Sequence, residues 1–180
     1  MPILFAFLLL LISCGGVSTE ENNPSDSQNN VNNIDSNDII MDFNIPLTGI
    51  NSDKQFSAFS EQLLMIYYMD PFCPHCQSGY SSVQQIANEY EPRGLASIAI
   101  AVRSENYILE FIEEYEASIP FFQDSEYAFM DKYGIEHVPM RYIVFPNGKT
   151  LSYENSESQI KKMVSDIEAF LSKHPTQKLP

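Results

Sequence analysis

The order of hydrophobic patterns along this chain predicts an α/β fold, a three-layer sandwich in which helices flank a central mixed β-sheet. Three observations carry that reading. Two runs of strand length, "LLMIYYM" at 63–69 and "LASIAIAV" at 95–102, are almost continuously apolar, as strands covered on both faces are. Each is followed by a segment with apolar residues at helical spacing. A hairpin signal and a last amphipathic segment then complete the order of a layered α/β domain.

Composition narrows the function classes. At 180 residues with 44% hydrophobic content, the chain can bury one ordinary core, plus tails. A net charge of -14 argues against a phosphate-binding surface, which needs clustered Lys and Arg, so no nucleic-acid partner is expected. The three cysteines, Cys14, Cys73 and Cys76, are too few for a disulfide scaffold, and their placement matters more than their number. No internal repeat and no second folded domain are visible.

The elements follow in order. Residues 1–14, "MPILFAFLLLLISC", are too brief a run to span a bilayer as a mature helix but have the length of a secretory h-region. Its end, Leu11-Ile12-Ser13-Cys14, resembles the lipobox of bacterial lipoproteins, which implies a signal peptide at 1–13 and acylation of Cys14. A buried N-terminal helix with an incidental cysteine is the alternative. The usual positive n-region is missing, since no Lys or Arg precedes Lys54. Gly15 rather than Asp follows the cysteine, which under the enterobacterial sorting pattern points to the outer rather than the inner membrane. Residues 15–38 are rich in Asn, Ser and acid and carry no basic residue, so they cannot offset their ordering entropy by apolar burial. The segment 14–40 therefore reads as a flexible acidic linker ahead of a folded domain at 41–175, with a tail at 176–180.

Within the domain, Ser52 and Gln55 have the spacing of a capping box opening a short helix with Phe56 and Phe59. The first apolar strand leads into a helix that carries Tyr80, Val83, Ile86, Ala87 and Tyr90 on one face and ends at Pro92 and Gly94. After the second strand, residues 104–116 place Tyr107, Ile108, Phe111, Ile112 and Tyr115 on one helical face. Asp124 is a candidate cap for a short helix ending near Tyr133-Gly134. "RYIVF" and "KTLSYE" flank Pro146-Asn147-Gly148, a hairpin with Asn-Gly at its centre. Ser156 and Gln159 then cap a last helix with Ile160, Met163, Val164, Ile167 and Leu171 inward.

The chemistry sits in "DPFCPHCQSGY", residues 70–80. A cysteine opening a helix just after a strand meets the unpaired N–H groups and dipole of the helix start, which favour its thiolate. A second cysteine one turn on can close a disulfide after a partner is attacked. Cys73 is thus the candidate nucleophile and Cys76 the resolving thiol, with Pro74 suited to the first turn.

These features together resemble the thioredoxin superfamily over roughly residues 43–173. "YGIEHVPMRYIVFPNGK", 133–149, is similar to the family's segment leading through its cis-proline to a strand and a hairpin. Pro139 takes the cis-proline place and Val138 the residue before it. The helix and "PFFQD" between residues 103 and 124 look like the TlpA/ResA-like, peroxiredoxin-related branch. The resemblance implies a thioredoxin-like fold and a protein disulfide oxidoreductase that needs no cofactor. It implies a domain facing the periplasm, exported client proteins with thiols or disulfides, and a membrane or periplasmic redox partner. Phe72, Val138 and Met140 are the residues expected to contact clients. Three positions depart from the pattern. Tyr67 stands where thioredoxins often keep a buried acid, leaving Asp70, His75 or water as proton acceptor for Cys76. Phe72 replaces the common Trp, and Met140 the usual small residue.

Cys-Pro-His-Cys with Val138 resembles the DsbA-type oxidant, in which His75 would favour the Cys73 thiolate. That implies a potential of roughly -200 to -120 mV. Members of the TlpA/ResA branch commonly act instead as reductants, for example in cytochrome c maturation. A Cu(I) metallochaperone would use the two thiols and a histidine such as His137, but the spacing between the cysteines is one residue short for it. Solvent exposure is the simpler reading of His137 and His174, and no metal is expected. No Thr lies between Thr48 and Thr150, which removes the Thr of a peroxiredoxin signature.

Overall fold

The computed structural model describes residues 39–175. The expected signal peptide, Cys14, most of the linker and the 176–180 tail lie outside the described residues.

The sheet is organised by β3 (Leu63–Met69), whose seven residues are all buried. Its pleat sends Leu63, Met65, Tyr67 and Met69 into one core and Leu64, Ile66 and Tyr68 into the other. The run lacks polar alternation because neither face meets water. From β3 the chain enters α1 (Pro74–Tyr90), which buries Tyr80, Val83, Ile86, Ala87 and Tyr90. A 3-10 turn at Glu91–Arg93 and Gly94, at φ 104, stop the helix. β4 (Leu95–Ala101) pairs parallel with β3, and β5 (Phe121–Gln123) parallel with β4. α2 (Glu105–Glu114) joins those two strands and shares the first core with α1, as two right-handed crossovers in the same direction require.

α3 (Ala128–Tyr133) places Phe129 in the second core, on the opposite face. β6 (Met140–Val144) returns antiparallel to β3, and β7 (Lys149–Glu154) pairs with β6. α4 (Glu157–Lys173) seats Met163, Ile167 and Leu171 on the first core, and the Ser156 hydroxyl accepts the Gln159 N–H at its start. Short strands β1 (Ile39–Ile40) and β2 (Thr48–Gly49) pair with β7 and β5, giving the order β1-β7-β6-β3-β4-β5-β2. The mixed sheet therefore lies between α1, α2 and α4 on one side and α3 with a 3-10 turn at Phe56–Phe59 on the other.

Four details differ from the sequence reading. The capping box does not form: the Ser52 hydroxyl accepts the Lys54 N–H, and Gln55 precedes the turn without a side-chain cap. The hairpin turns on Pro146-Asn147, with Gly148 at φ 81 as the left-handed residue that rejoins the ladder; the Gly148 N–H donates to Phe145 O and the Phe145 N–H to Lys149 O. Tyr107 faces solvent rather than the core. The sheet begins at Ile39, inside the segment assigned to the linker. Asp124 does cap α3, accepting the N–H groups of Phe129 and Met130 as well as the Tyr68 hydroxyl.

Candidate active site

The site is built where β3 gives way to α1. The Cys73 N–H donates to the Asp70 carbonyl at 3.0 Å, closing a tight turn that sets Cys73 as the N-cap of α1 with Pro74 at its first position. The Cys73 carbonyl accepts the N–H groups of Cys76 and Gln77 at 2.9 and 3.0 Å. Both cysteines are free thiols; Cys73 is half-buried and Cys76 fully buried. The first thiol meets the positive end of the helix. Burial pushes the second up to about 12, so it keeps its proton until it is needed.

Facing the pair is the loop before β6. The Val138–Pro139 peptide bond is cis, Pro139 is buried, and the Cys73 thiol points to the Val138 carbonyl at 3.9 Å. Val138 touches both cores, and Met140 packs against the second. Phe72 is exposed, edge-on to the Tyr107 ring at 4.7 Å with the Arg103 guanidinium over it. Phe72, Cys73, Val138 and Pro139 are thus brought together. The His75 side chain is exposed on the first turn of α1, and its carbonyl accepts from the Asn155 amide at 3.2 Å. His137 is exposed, and His174 stacks on Phe170 at the end of α4. Among the described residues no group of three His, Cys, Asp or Glu side chains is placed to hold a metal ion.

Asp70 is not free to serve as a base. Its carboxylate takes two hydrogen bonds from Arg103 and one from the Phe72 N–H. Against the opposing effect of burial, these hold its pKa below the ordinary carboxylate range. The same ion pair places Arg103 over Phe72.

A polar cluster beneath α1 escaped the sequence reading. The Tyr67 hydroxyl donates to the Cys76 carbonyl at 2.8 Å. Directly across the ladder from Tyr67 stands Arg141, fully buried, its guanidinium carbon 5.1 Å from the centre of the Tyr67 ring. Arg141 donates to Asn155 Oδ1, to the Gly79 carbonyl at 3.3 Å and to the Ser82 hydroxyl at 3.2 Å; among the described residues its Nε has no hydrogen-bond partner. Gly79 makes this approach possible, since a Cβ there would stand 2.9 Å from the Tyr67 hydroxyl and 3.0 Å from Asn155 Oδ1. A glycine inside a helix and an arginine inside an apolar strand were the available signals.

Comparison with known proteins places this geometry. Thiol-disulfide oxidoreductase ResA of Oceanobacillus iheyensis is 25% identical over 99 residues, 54% of this chain and 52% of the relative. A second ResA, from Halalkalibacterium halodurans, is 24% identical over 87 residues, 48% of this chain and 49% of that one. The chain spans about half the length of the curated relatives it matches. The fold is shared with a secreted Mycobacterium tuberculosis disulfide oxidoreductase homologous to E. coli DsbE (TM-score 0.58, 15% identity, 68% of this chain and 93% of that one). It is shared also with Xanthomonas campestris peroxiredoxin Q (TM-score 0.62, 14% identity, 72% and 92%). The fold is thioredoxin-like, and since residues 37–151 match the AhpC/TSA family along most of the chain, the protein belongs to that family.

Proposed function

We propose that the protein is a thiol-disulfide oxidoreductase of the bacterial cell envelope, held to a membrane through lipidated Cys14 and exchanging disulfides with exported proteins. One observation carries the chemistry: a half-exposed Cys73 at a helix start, a buried Cys76 one turn behind it, and the Val138 carbonyl facing Cys73. In this reading the Cys73 thiolate attacks a client disulfide, forming a mixed disulfide and releasing one client thiolate. Cys76 then loses its proton and attacks Cys73 Sγ, releasing the second client thiolate and leaving Cys73–Cys76 oxidised. The reverse sequence oxidises a client dithiol. The backbone at Val138–Pro139 and the rings of Phe72 and Tyr107 receive the client segment around its cysteine, and Met140 flanks it. The names of the ResA relatives support the reaction class. The Cys-Pro-His-Cys sequence supports a pair more oxidising than thioredoxin, at roughly -200 to -120 mV.

Trapping and a glutathione-buffer titration test this together. Cys76→Ser is expected to accumulate covalent complexes through Cys73, and Cys73→Ser few or none. Equal trapping by the two variants would reverse the assignment. A potential at or below the roughly -270 mV of thioredoxin would make the protein a reductant.

A further inference from the structure

Arg141 has no evident reason to be where it is. A fully buried guanidinium is expensive unless it is paired, and loss of solvation normally selects against it. Among the described residues its hydrogen-bond partners are all neutral: an amide oxygen, a hydroxyl and a backbone carbonyl. Its guanidinium carbon lies over the Tyr67 ring, 5.1 Å from the centre. The titratable groups it faces are the Tyr67 phenol and the Cys76 thiol, with Tyr153 across the ladder on the other side. Burial pushes the Tyr67 phenol well above its ordinary value, and the Tyr153 phenol donates to Asp166. The Asp70 carboxylate, which also acts on Cys76, is already paired with Arg103, and that leaves the thiols as the groups whose charge changes at this place.

We propose that Arg141 is a positioning residue for the redox pair, a resident positive charge held beneath the second turn of α1, just behind Cys76, that stabilises thiolate on the dithiol, and above all on Cys76. The inference rests on the disulfide-exchange reading above. In either direction of exchange the sulfur of Cys76 carries negative charge, as nucleophile when it attacks Cys73 Sγ or as leaving group when a client thiolate opens the Cys73–Cys76 bond. Two electrons pass between client and pair, and the proton of Cys76 is lost or regained. A buried cation favours that charged sulfur in both cases. Where a thioredoxin-type site would hold a carboxylate to take the proton, this one holds a cation to retain the anion. The neutral disulfide gains nothing from it, so the charge shifts the equilibrium toward the reduced pair. Tyr67 and Asn155 fix the geometry. Tyr67 ties the Cys76 carbonyl to β3, and Asn155 links the guanidinium to the His75 carbonyl.

The test compares wild type with R141M, R141K and N155D in glutathione redox buffers, with thiolate formation followed against pH by its ultraviolet absorbance. R141M removes the charge, R141K keeps it, and N155D sets a carboxylate on Nη1 and neutralises it in place. R141M and N155D are expected to move the equilibrium about tenfold or more toward the disulfide, a fall of about 30 mV, and to raise the pH of thiolate formation, while R141K stays within about threefold of wild type. N155D carries the test should R141M fail to fold. A folded R141M or N155D with the wild-type equilibrium and thiolate titration overturns the proposal and leaves the exchange reading standing. A wild type that forms no Cys73–Cys76 disulfide in these buffers overturns both.

Discussion

At the scale of single residues, Gly79 shows how packing overrides local propensity. In an exposed helix interior, Gly→Ala gains about 1 kcal/mol. Here the new methyl would press on the Tyr67 hydroxyl and on Asn155, both held by hydrogen bonds in the polar cluster, and overpacking of that kind costs about 1–3 kcal/mol. Gly79→Ala is therefore expected to lower the unfolding free energy by about 1 kcal/mol in urea titration, with part of the loss recovered when Tyr67→Phe is added. A stability equal to or above wild type would show that the cluster gives way easily. Cys73 and Cys76 were legible at this scale because their chemistry is local, a thiol at a strand–helix junction and another one turn on. Arg141, Tyr67 and Asn155 were not, because they stand 14 to 88 positions apart and meet only once the sheet is paired.

Among elements, those with a visible apolar period or cap were legible, the short α3 and the Phe56–Phe59 turn among them, and the shortest strands were not. β3, β4, α1 and α4 each carry enough apolar residues for their period to show, and their observed limits fall close to the expected ones. β1 and β2 have two residues each and β5 has three, too few to display a pattern; they form because a neighbouring strand offers free backbone groups. Tyr107 has the spacing of a core residue, yet the exposed Phe72 ring draws it outward. One contact between elements yields a pH prediction. Arg93, just past α1, holds the Glu168 carboxylate of α4 in two hydrogen bonds of 2.7 Å, and the Tyr90 hydroxyl adds a third at 2.9 Å. The Arg93 bonds, then the Tyr90 one, lower the Glu168 pKa from 4.5 to about 2. A folded-state pKa below the unfolded value means that the contribution is complete above 4.5 and lost as pH falls toward 2. Arg93→Gln is expected to flatten that part of the acid limb in pH-dependent denaturation. The effect is modest, because both side chains are about two-fifths exposed. An unchanged slope would mean that the pair exists without stabilising the fold.

For the molecule as a whole, the acidic character follows from 24 Asp and Glu against 10 Lys and Arg. Such a surface repels anionic headgroups, so membrane residence would have to come from an acyl chain rather than from adsorption. Among the described residues no helix is long and apolar enough to cross a membrane. Cys14→Ser is accordingly expected to move the full chain from the membrane fraction to the soluble one, or to stall its processing. A variant that fractionates and matures like wild type would remove the lipoprotein reading.

The unequal burial of the two thiols also gives the domain an internal gauge of its own integrity. Cys73 is open to an alkylating reagent in the native fold, whereas Cys76, shut away under the first turn of α1, reacts only through molecules that have opened. In a chain whose Cys73 and Cys14 are both replaced by serine, the rate at which label accumulates counts excursions out of the native state, with no denaturant and no spectroscopic probe. Each stabilising or weakening substitution near α1 would then be read as a slower or faster labelling clock at a single sulfur atom.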